Sequence, residues 1–236
     1  MNKITTAPFK FYINITFLVS IIVGCSSESD KKDNDSSQNR SLAKDSLELT
    51  KEVEAAPAEK PNLYIYPTKK TELSVSVSFP QGGEVIKSEP LYNKTWNVSV
   101  EPNGKINEKF DFLFYESVQP DKWQYETGWS IKRQELKDFF EKNMDEYGFS
   151  EKEIKDFTDY WVPLLNNFDY YIIYPQEKNV IDELIQIKFS QKPEQFLRLF
   201  YVIQGVDSHQ TIQEHIIKEN FNRTGYFAAE WGVIRK

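Results

Sequence analysis

The chain has 236 residues, a formal net charge of -7 and 39% hydrophobic residues, with aromatics at 15%. That is ample apolar material for a packed core, and the acidic balance argues against nucleic acid as a partner and against a polybasic grip on anionic lipid. A single cysteine excludes an intramolecular disulfide and a cysteine-built metal centre.

The amino terminus reads as an export signal. Lys3 and Lys10 stand in a stretch without acids, and an apolar run follows from Phe11 to Gly24. That run falls short of the ~20 apolar residues a spanning helix needs. Ile22-Val23-Gly24-Cys25 has the form of a lipobox: a small residue that a peptidase accommodates, then a thiol that can take a diacylglycerol as a thioether. Lipidation is therefore expected at Cys25, with removal of residues 1–24. Several acyl chains at ~0.8 kcal/mol per buried methylene anchor stably where one chain does not. Loss of Lys3 and Lys10 leaves 27 basic residues against 36 acidic ones, a charge of -9. The expected location is the cell envelope, anchored by lipid to the outer or the cytoplasmic membrane and either periplasmic or surface-exposed.

From Ser26 to Glu59 the chain is rich in Ser, Asp, Lys and Glu and poor in aromatic and branched apolar residues. Such a segment buries too little surface to offset its ordering entropy. The expected organisation is a signal peptide at 1–24, a lipidated Cys25 with an acidic, Ser-rich tether over 25–59, and a single domain over 60–236.

After Pro61 the pattern alternates with period two, the signature of strands. In ELSVSVSF, Leu73, Val75, Val77 and Phe79 take one face while Ser74, Ser76 and Ser78 take the other, which predicts a strand with one wet side. Gln81-Gly82-Gly83 and Glu101-Pro102-Asn103-Gly104 read as turns between further strands EVIKSEP, TWNVSV, KFDFLFYES and GWSIK. At Gln134 the period becomes helical. Leu136, Phe139, Phe140, Met144 and Tyr147 share a face, and Gly148 is placed to stop the helix. Ser150 and Glu153 form a capping-box pattern for a second helix, with Ile154, Phe157, Trp161 and Leu164 or Leu165 inward and Pro163 at its end. Strands resume in DYYIIYP, VIDELIQIKF, FLRLFYVI and GYFAAEWGVI, and the polar stretch from Ser208 to Asn222 has room for one short helix. Strands on both sides of a helical pair predict an α+β domain, an antiparallel sheet or sandwich with an inserted helical hairpin.

The segments KPNLYIYP (Lys60 to Pro67), FLFYES (Phe112 to Ser117), DYWVPLL (Asp159 to Leu165), FLRLF (Phe196 to Phe200) and GYFAAEWG (Gly225 to Gly232) carry a resemblance. Together they resemble an uncharacterised family of bacterial secreted or cell-surface domains marked by K-P-x-I-Y-L-Y-P near the start and E-W-G near the end. The resemblance spans Lys60 to Ile234 and implies a secreted or surface role without an activity, ligand or catalytic residue to carry over. Tyr115 and Ser117 stand where members of that family tend to have Trp and Gly.

Signatures of catalysis are missing from the sequence: no Gly-x-Ser-x-Gly elbow, no phosphate-cradling glycine loop, no His-Glu-x-x-His. His209 and His215 are spaced to fall on different faces of a helix, so neither a metal site nor a cofactor is expected. Charge inside apolar strands is the more informative signal. Arg198 shares its face with Phe196, Phe200 and Val202 and needs a carboxylate there. Glu116, beside Phe112 and Phe114, and Glu230, beside Tyr226 and Ala228, are the candidate partners. Such a cluster serves either as a structural ion pair or as a binding or acid/base centre. Trp123 and Tyr125 fall in the aperiodic stretch from Gln119 to Gly128, which marks them as a candidate exposed contact. The leading expectation is a lipid-anchored, non-enzymatic binding or interaction domain whose partner is an envelope protein or a glycan. The alternative is an envelope hydrolase acting on a glycan with Glu116 and Glu230 as paired carboxylates, held ~5–5.5 Å or ~6.5–9.5 Å apart across a cleft.

Overall fold

The computed structural model describes residues 55–218 and 221–236; the expected signal peptide, Cys25 and the expected tether as far as residue 54 lie outside the described residues. Backbone pairing is already in place at Ala56, whose N–H donates to the Gln119 carbonyl at 2.9 Å, and Ala58 exchanges hydrogen bonds with Ser117. Ala56 and Ala58 are both buried. The packed chain therefore takes in residues ahead of the expected start at Lys60.

Eleven strands and three α-helices follow in the described residues. Strands β1 (Glu59–Tyr66), β2 (Thr71–Ser78), β3 (Glu84–Glu89), β4 (Trp96–Val100), β5 (Leu113–Val118) and β6 (Thr127–Lys132) precede helices α1 (Leu136–Tyr147) and α2 (Glu151–Trp161). Then come β7 (Tyr170–Glu177), α3 (Lys178–Leu184), β8 (Gln186–Phe189), β9 (Gln195–Val206), the two-residue β10 (Gln213–Glu214) and β11 (Phe227–Arg235). Eight strands form one mixed sheet in the order β10-β6-β7-β9-β11-β1-β5-β3, and β4-β2-β8 form a small antiparallel sheet. Pairing in the large sheet is antiparallel except for β10 with β6 and β9 with β11. The fold is thus α+β, with the helical hairpin inserted between the neighbouring antiparallel strands β6 and β7.

Apolar patterning dictates this layering. β9 and β11 are apolar on both faces and take central positions, as strands covered on both sides must. One face of the large sheet, through Tyr64, Leu199, Tyr201, Trp231 and Val233, meets Phe140, Met144, Phe157 and Trp161 of the hairpin. The other, through Leu63, Ile65, Phe200, Val202 and Ile234, meets Leu73, Val75, Trp96 and Val98 of the small sheet and Ile181 and Leu184 of α3. β2 keeps its serine face toward solvent, as its alternation predicts.

The hairpin matches its sequence signals. Gly148 caps α1 with φ 99°, a left-handed conformation that costs glycine little, and Ser150 and Glu153 form the reciprocal capping box of α2. Pro163 lies in a 3-10 turn that ends α2, leaving Leu165 buried and Leu164 exposed. Two expectations are corrected. VIDELIQIKF is split between α3 and β8, because Ile181 and Leu184 at i and i+3 bury well only from a helix, while Gln186–Phe189 pairs with β2. The stretch from Ser208 to Asn222 forms no helix among its described residues; it contributes β10 beside β6.

At Gly128 the backbones of β6 and β7 approach closely. A Cβ there would run into the Ile173 carbonyl and lie 3.3 Å from the Tyr174 Cα, so the backbones themselves would have to part. Gly128→Ala is therefore expected to destabilise the domain by ~1–3 kcal/mol, as overpacking does. A drop of several degrees in melting temperature is the expected reading; an unchanged value would mean that this strand pair is loose.

Candidate functional site

The register of β9 and β11 sets Arg198 directly beside Glu230. The Arg198 Nε–H donates to Glu230 Oε2 at 2.6 Å, and the Tyr115 hydroxyl donates to Glu230 Oε1 at 2.6 Å. Arg198 Nη1 donates to the Ile185 carbonyl and to Asp182 Oδ1, each at 2.6 Å. Asp182 in turn meets Lys178 one turn earlier in α3. Two cations thus face two carboxylates, and the cluster is neutral without a bound ion. Arg198, Glu230 and Tyr115 are all buried. Burial works against the guanidinium charge, but Glu230, Tyr115 and Asp182 outweigh it and raise the Arg198 pKa. Burial, with Glu230 second, drives the Tyr115 pKa well up, so its hydroxyl stays a donor.

This geometry corrects the expected cluster. Glu116 does not reach Arg198, because it follows Tyr115 on β5 and projects from the opposite face, where Lys87 meets it at 3.3 Å. Glu116 and Glu230 therefore form no carboxylate pair. Asp182 takes the second carboxylate position, supplied by the helix that the sequence disguised as strand. Tyr115 and Ser117 are also buried, so that corner of the molecule is core rather than surface. Trp123 is corrected as well: it is 5% exposed and packs against Phe200, with ring centroids 6.1 Å apart. Tyr125 is exposed, donates to Asp121 Oδ1 at 2.6 Å and sets its ring edge-to-face against Tyr174.

On the hairpin side lies a groove that sequence reading did not anticipate. Trp129 and Ile131 of β6, Phe139, Lys142, Asn143 and Glu146 of α1, and Glu214, His215 and Ile217 line a cavity of about 370 Å³, within the ~300–1,000 Å³ common for small-molecule sites. His215 fixes one wall. Its Nδ1 lies 2.9 Å from Thr127 Oγ1, its Nε2 lies 3.0 Å from Glu177 Oε1, and its ring stands edge-to-face to Trp129. The Tyr147 hydroxyl donates to the same Glu177 oxygen at 3.1 Å. With both ring nitrogens engaged, the imidazole joins β6, β7 and the segment after β10. Helical spacing was the wrong frame for this histidine, since the segment forms no helix among its described residues. His209 lies elsewhere, edge-to-face against Tyr170.

Two predictions follow from these clusters. Arg198→Met strands the buried Glu230 carboxylate, a loss of ~3–5 kcal/mol, which for a domain of this size lowers the melting temperature on the order of 10 °C. Adding Glu230→Gln should recover part of the loss, since the stranded charge is then gone. A shift under a couple of degrees in Arg198→Met would show that water reaches the cluster. The second concerns pH. The hydrogen bond from His215 lowers the Glu177 pKa against the opposing effect of burial. A depressed carboxylate stabilises the fold above its unfolded pKa, and that contribution is lost as pH falls through the folded value. The stability advantage of wild type over Glu177→Gln should therefore shrink as the pH is lowered past the ordinary glutamate range near ~4.3, measured by urea unfolding at a series of pH values.

No family model matches the chain, and no solved structure matches it significantly. A curated relative does: the "Uncharacterized protein in bglA 3'region" of Butyrivibrio fibrisolvens is 30% identical over 110 residues, which is 44% of this chain and 90% of that protein. Because nearly the whole of that bacterial protein aligns, the chain belongs to its family.

Proposed function

We propose that the protein is a lipid-anchored component of a bacterial cell envelope whose folded domain binds a ligand without transforming it. Anchoring rests on Ile22-Val23-Gly24-Cys25 and its apolar approach. No helix among the described residues is long and apolar enough to cross a membrane. The resemblance to secreted and cell-surface domains points to the same placement. Palmitoyl and diacylglycerol chains on Cys25 would hold the domain to the outer or the cytoplasmic membrane, facing the periplasm or the exterior.

The binding reading is carried by the groove between β6, α1 and the segment after β10, a concave surface that combines aromatic rings with charged and amide groups. A hydrolase is the second reading, because Glu146 and Glu214 are two carboxylates lining the same groove. Solvent exposure supports the binding reading. The carboxylic acid of a hydrolase is commonly shielded from water, whereas Glu146 and Glu214 are both exposed and Lys142 lies 3.9 Å from Glu146. The one fully enclosed carboxylate of the cluster at Arg198, Glu230, has no access to a substrate.

Metabolic labelling with an alkynyl palmitate analogue tests the anchor. Wild-type chain is expected to label and to fractionate with membranes, while Cys25→Ser loses the label and partitions into the soluble fraction. Undiminished labelling of Cys25→Ser would remove the lipid anchor from the proposal.

A further inference from the structure

We propose that the groove at Trp129 is a saccharide site that takes a neutral sugar unit of an oligosaccharide, an inference that rests on the binding reading above and gives it a ligand class. A pyranose presents an apolar C–H face and a rim of hydroxyls, each both donor and acceptor. The groove supplies the complement of both. Trp129, Phe139, Ile131 and Ile217 form its apolar wall, with the Trp129 and Phe139 centroids 5.3 Å apart. Large rigid rings of this kind give contact area at little entropic cost.

The polar rim is equally specific. Glu146 and Glu214 are acceptors for hydroxyl protons, and Lys142 is a donor. Asn143 is the most telling residue. It is only 5% exposed, its Oδ1 accepts from the Tyr201 hydroxyl at 2.6 Å, and its Nδ2 has no protein acceptor among the described residues. An amide donor without a protein acceptor in the lining of a groove, with its oxygen already engaged, is placed to meet an acceptor brought by a ligand. His215 adds no free donor, because Thr127 and Glu177 occupy its two nitrogens; it serves as a fixed wall behind Trp129.

Charge narrows the class to neutral sugars. Lys142 is balanced by Glu146, which leaves Glu214 as surplus negative charge on a chain that is already acidic overall. Uronic acids and sulfated or phosphorylated glycans would meet repulsion at close range. A peptide would need a run of backbone partners, and the edge strand that lines this groove, β10, is only two residues long.

The experiment presents the fluorescently labelled full chain, held in a non-glycosidic detergent, to an array of neutral oligosaccharides of glucose, xylose, mannose, galactose and N-acetylglucosamine from disaccharide to hexasaccharide. A peptide array is probed in parallel, and saccharide hits are titrated by calorimetry. Wild type is expected to bind at least one saccharide, with affinity lowered about tenfold or more in Trp129→Ala and also lowered in Glu214→Gln. Trp129→Phe keeps a ring and should retain part of the binding, which separates lost stacking from a folding defect. Glu214 is exposed, so Glu214→Gln is a variant whose fold should be intact. Tyr160→Ala, on the outer face of α2, should bind as wild type. Saccharide binding indifferent to both Trp129→Ala and Glu214→Gln would overturn the site. Trp129-dependent binding of peptides with no saccharide bound would overturn the saccharide class and leave the groove as a binding site. Silence on both arrays would overturn the groove reading itself.

Discussion

The ion pair between Arg198 and Glu230 is the constraint on which the rest of the architecture turns. β9 and β11 are parallel neighbours at the middle of the large sheet, and both are apolar on both faces. Hydrophobicity alone specifies such a pair poorly, since a slip of two residues keeps every side chain on its own face. Charge removes that freedom. A two-residue slip would set Arg198 against Ala228 or Gly232 and leave a buried guanidinium and a buried carboxylate unpaired, at several kcal/mol each. The E-W-G segment condenses three roles into consecutive positions. Glu230 holds the register, Trp231 projects to the opposite face against Phe157 of α2 at 5.2 Å, and Gly232 leaves room for the Phe200 ring, which would lie 3.1 Å from any Cβ there.

Parallel pairing at the centre has a second consequence. Parallel neighbours need a long crossover, and here the connection from β9 to β11 travels over the hairpin side of the sheet. Its stations are Gln210, whose N–H donates to Ser130 Oγ at 3.1 Å, then β10 beside β6, then His215 between Thr127 and Glu177. Farther along, Phe221 lies against Gly148, and Arg223 forms a two-pronged pair with the buried Glu153 at 2.8 and 2.9 Å while stacking on Phe227. The crossover is thus pinned at both ends, and the groove is the space between its first half and α1. The feature proposed to bind is a by-product of the topology that the ion pair enforces.

How much of this was legible in the sequence depends on how local each signal is. Period-two alternation at Leu73, Val75 and Val77, the helical face of α1, the Gly148 stop and the Ser150–Glu153 box are interactions between near neighbours, and each is where the pattern placed it. Arg198 was recognisable as a buried cation from its apolar strand, and Glu230 as a partner for the same reason. Glu116 was not excludable, because the face a strand presents to the core follows from its pairing, and Lys87 competes for the carboxylate from outside. Asp182 was hidden by a short helix of only seven residues in which apolar content mimics a strand. Trp123 illustrates the same limit from the other side. Lack of periodicity marks irregular backbone, not exposure, and an irregular segment beneath the small sheet side can bury its aromatic ring as fully as a strand does.

The groove escaped notice for a related reason: its lining comes from a strand, a helix and a crossover far apart in sequence, so no spacing announces it. What separates it from the Arg198 cluster is the disposition of charge relative to water. At Arg198 the guanidinium and Glu230 are enclosed and paired, with Asp182 meeting the guanidinium from the partly exposed helix α3, an arrangement that specifies structure. In the groove the charges remain hydrated, while the Asn143 amide is nearly buried and retains unused donors. A ligand entering there exchanges water for a rigid aromatic wall without having to desolvate a carboxylate fully. That balance is the ground for proposing that the groove recognises a polar, uncharged molecule.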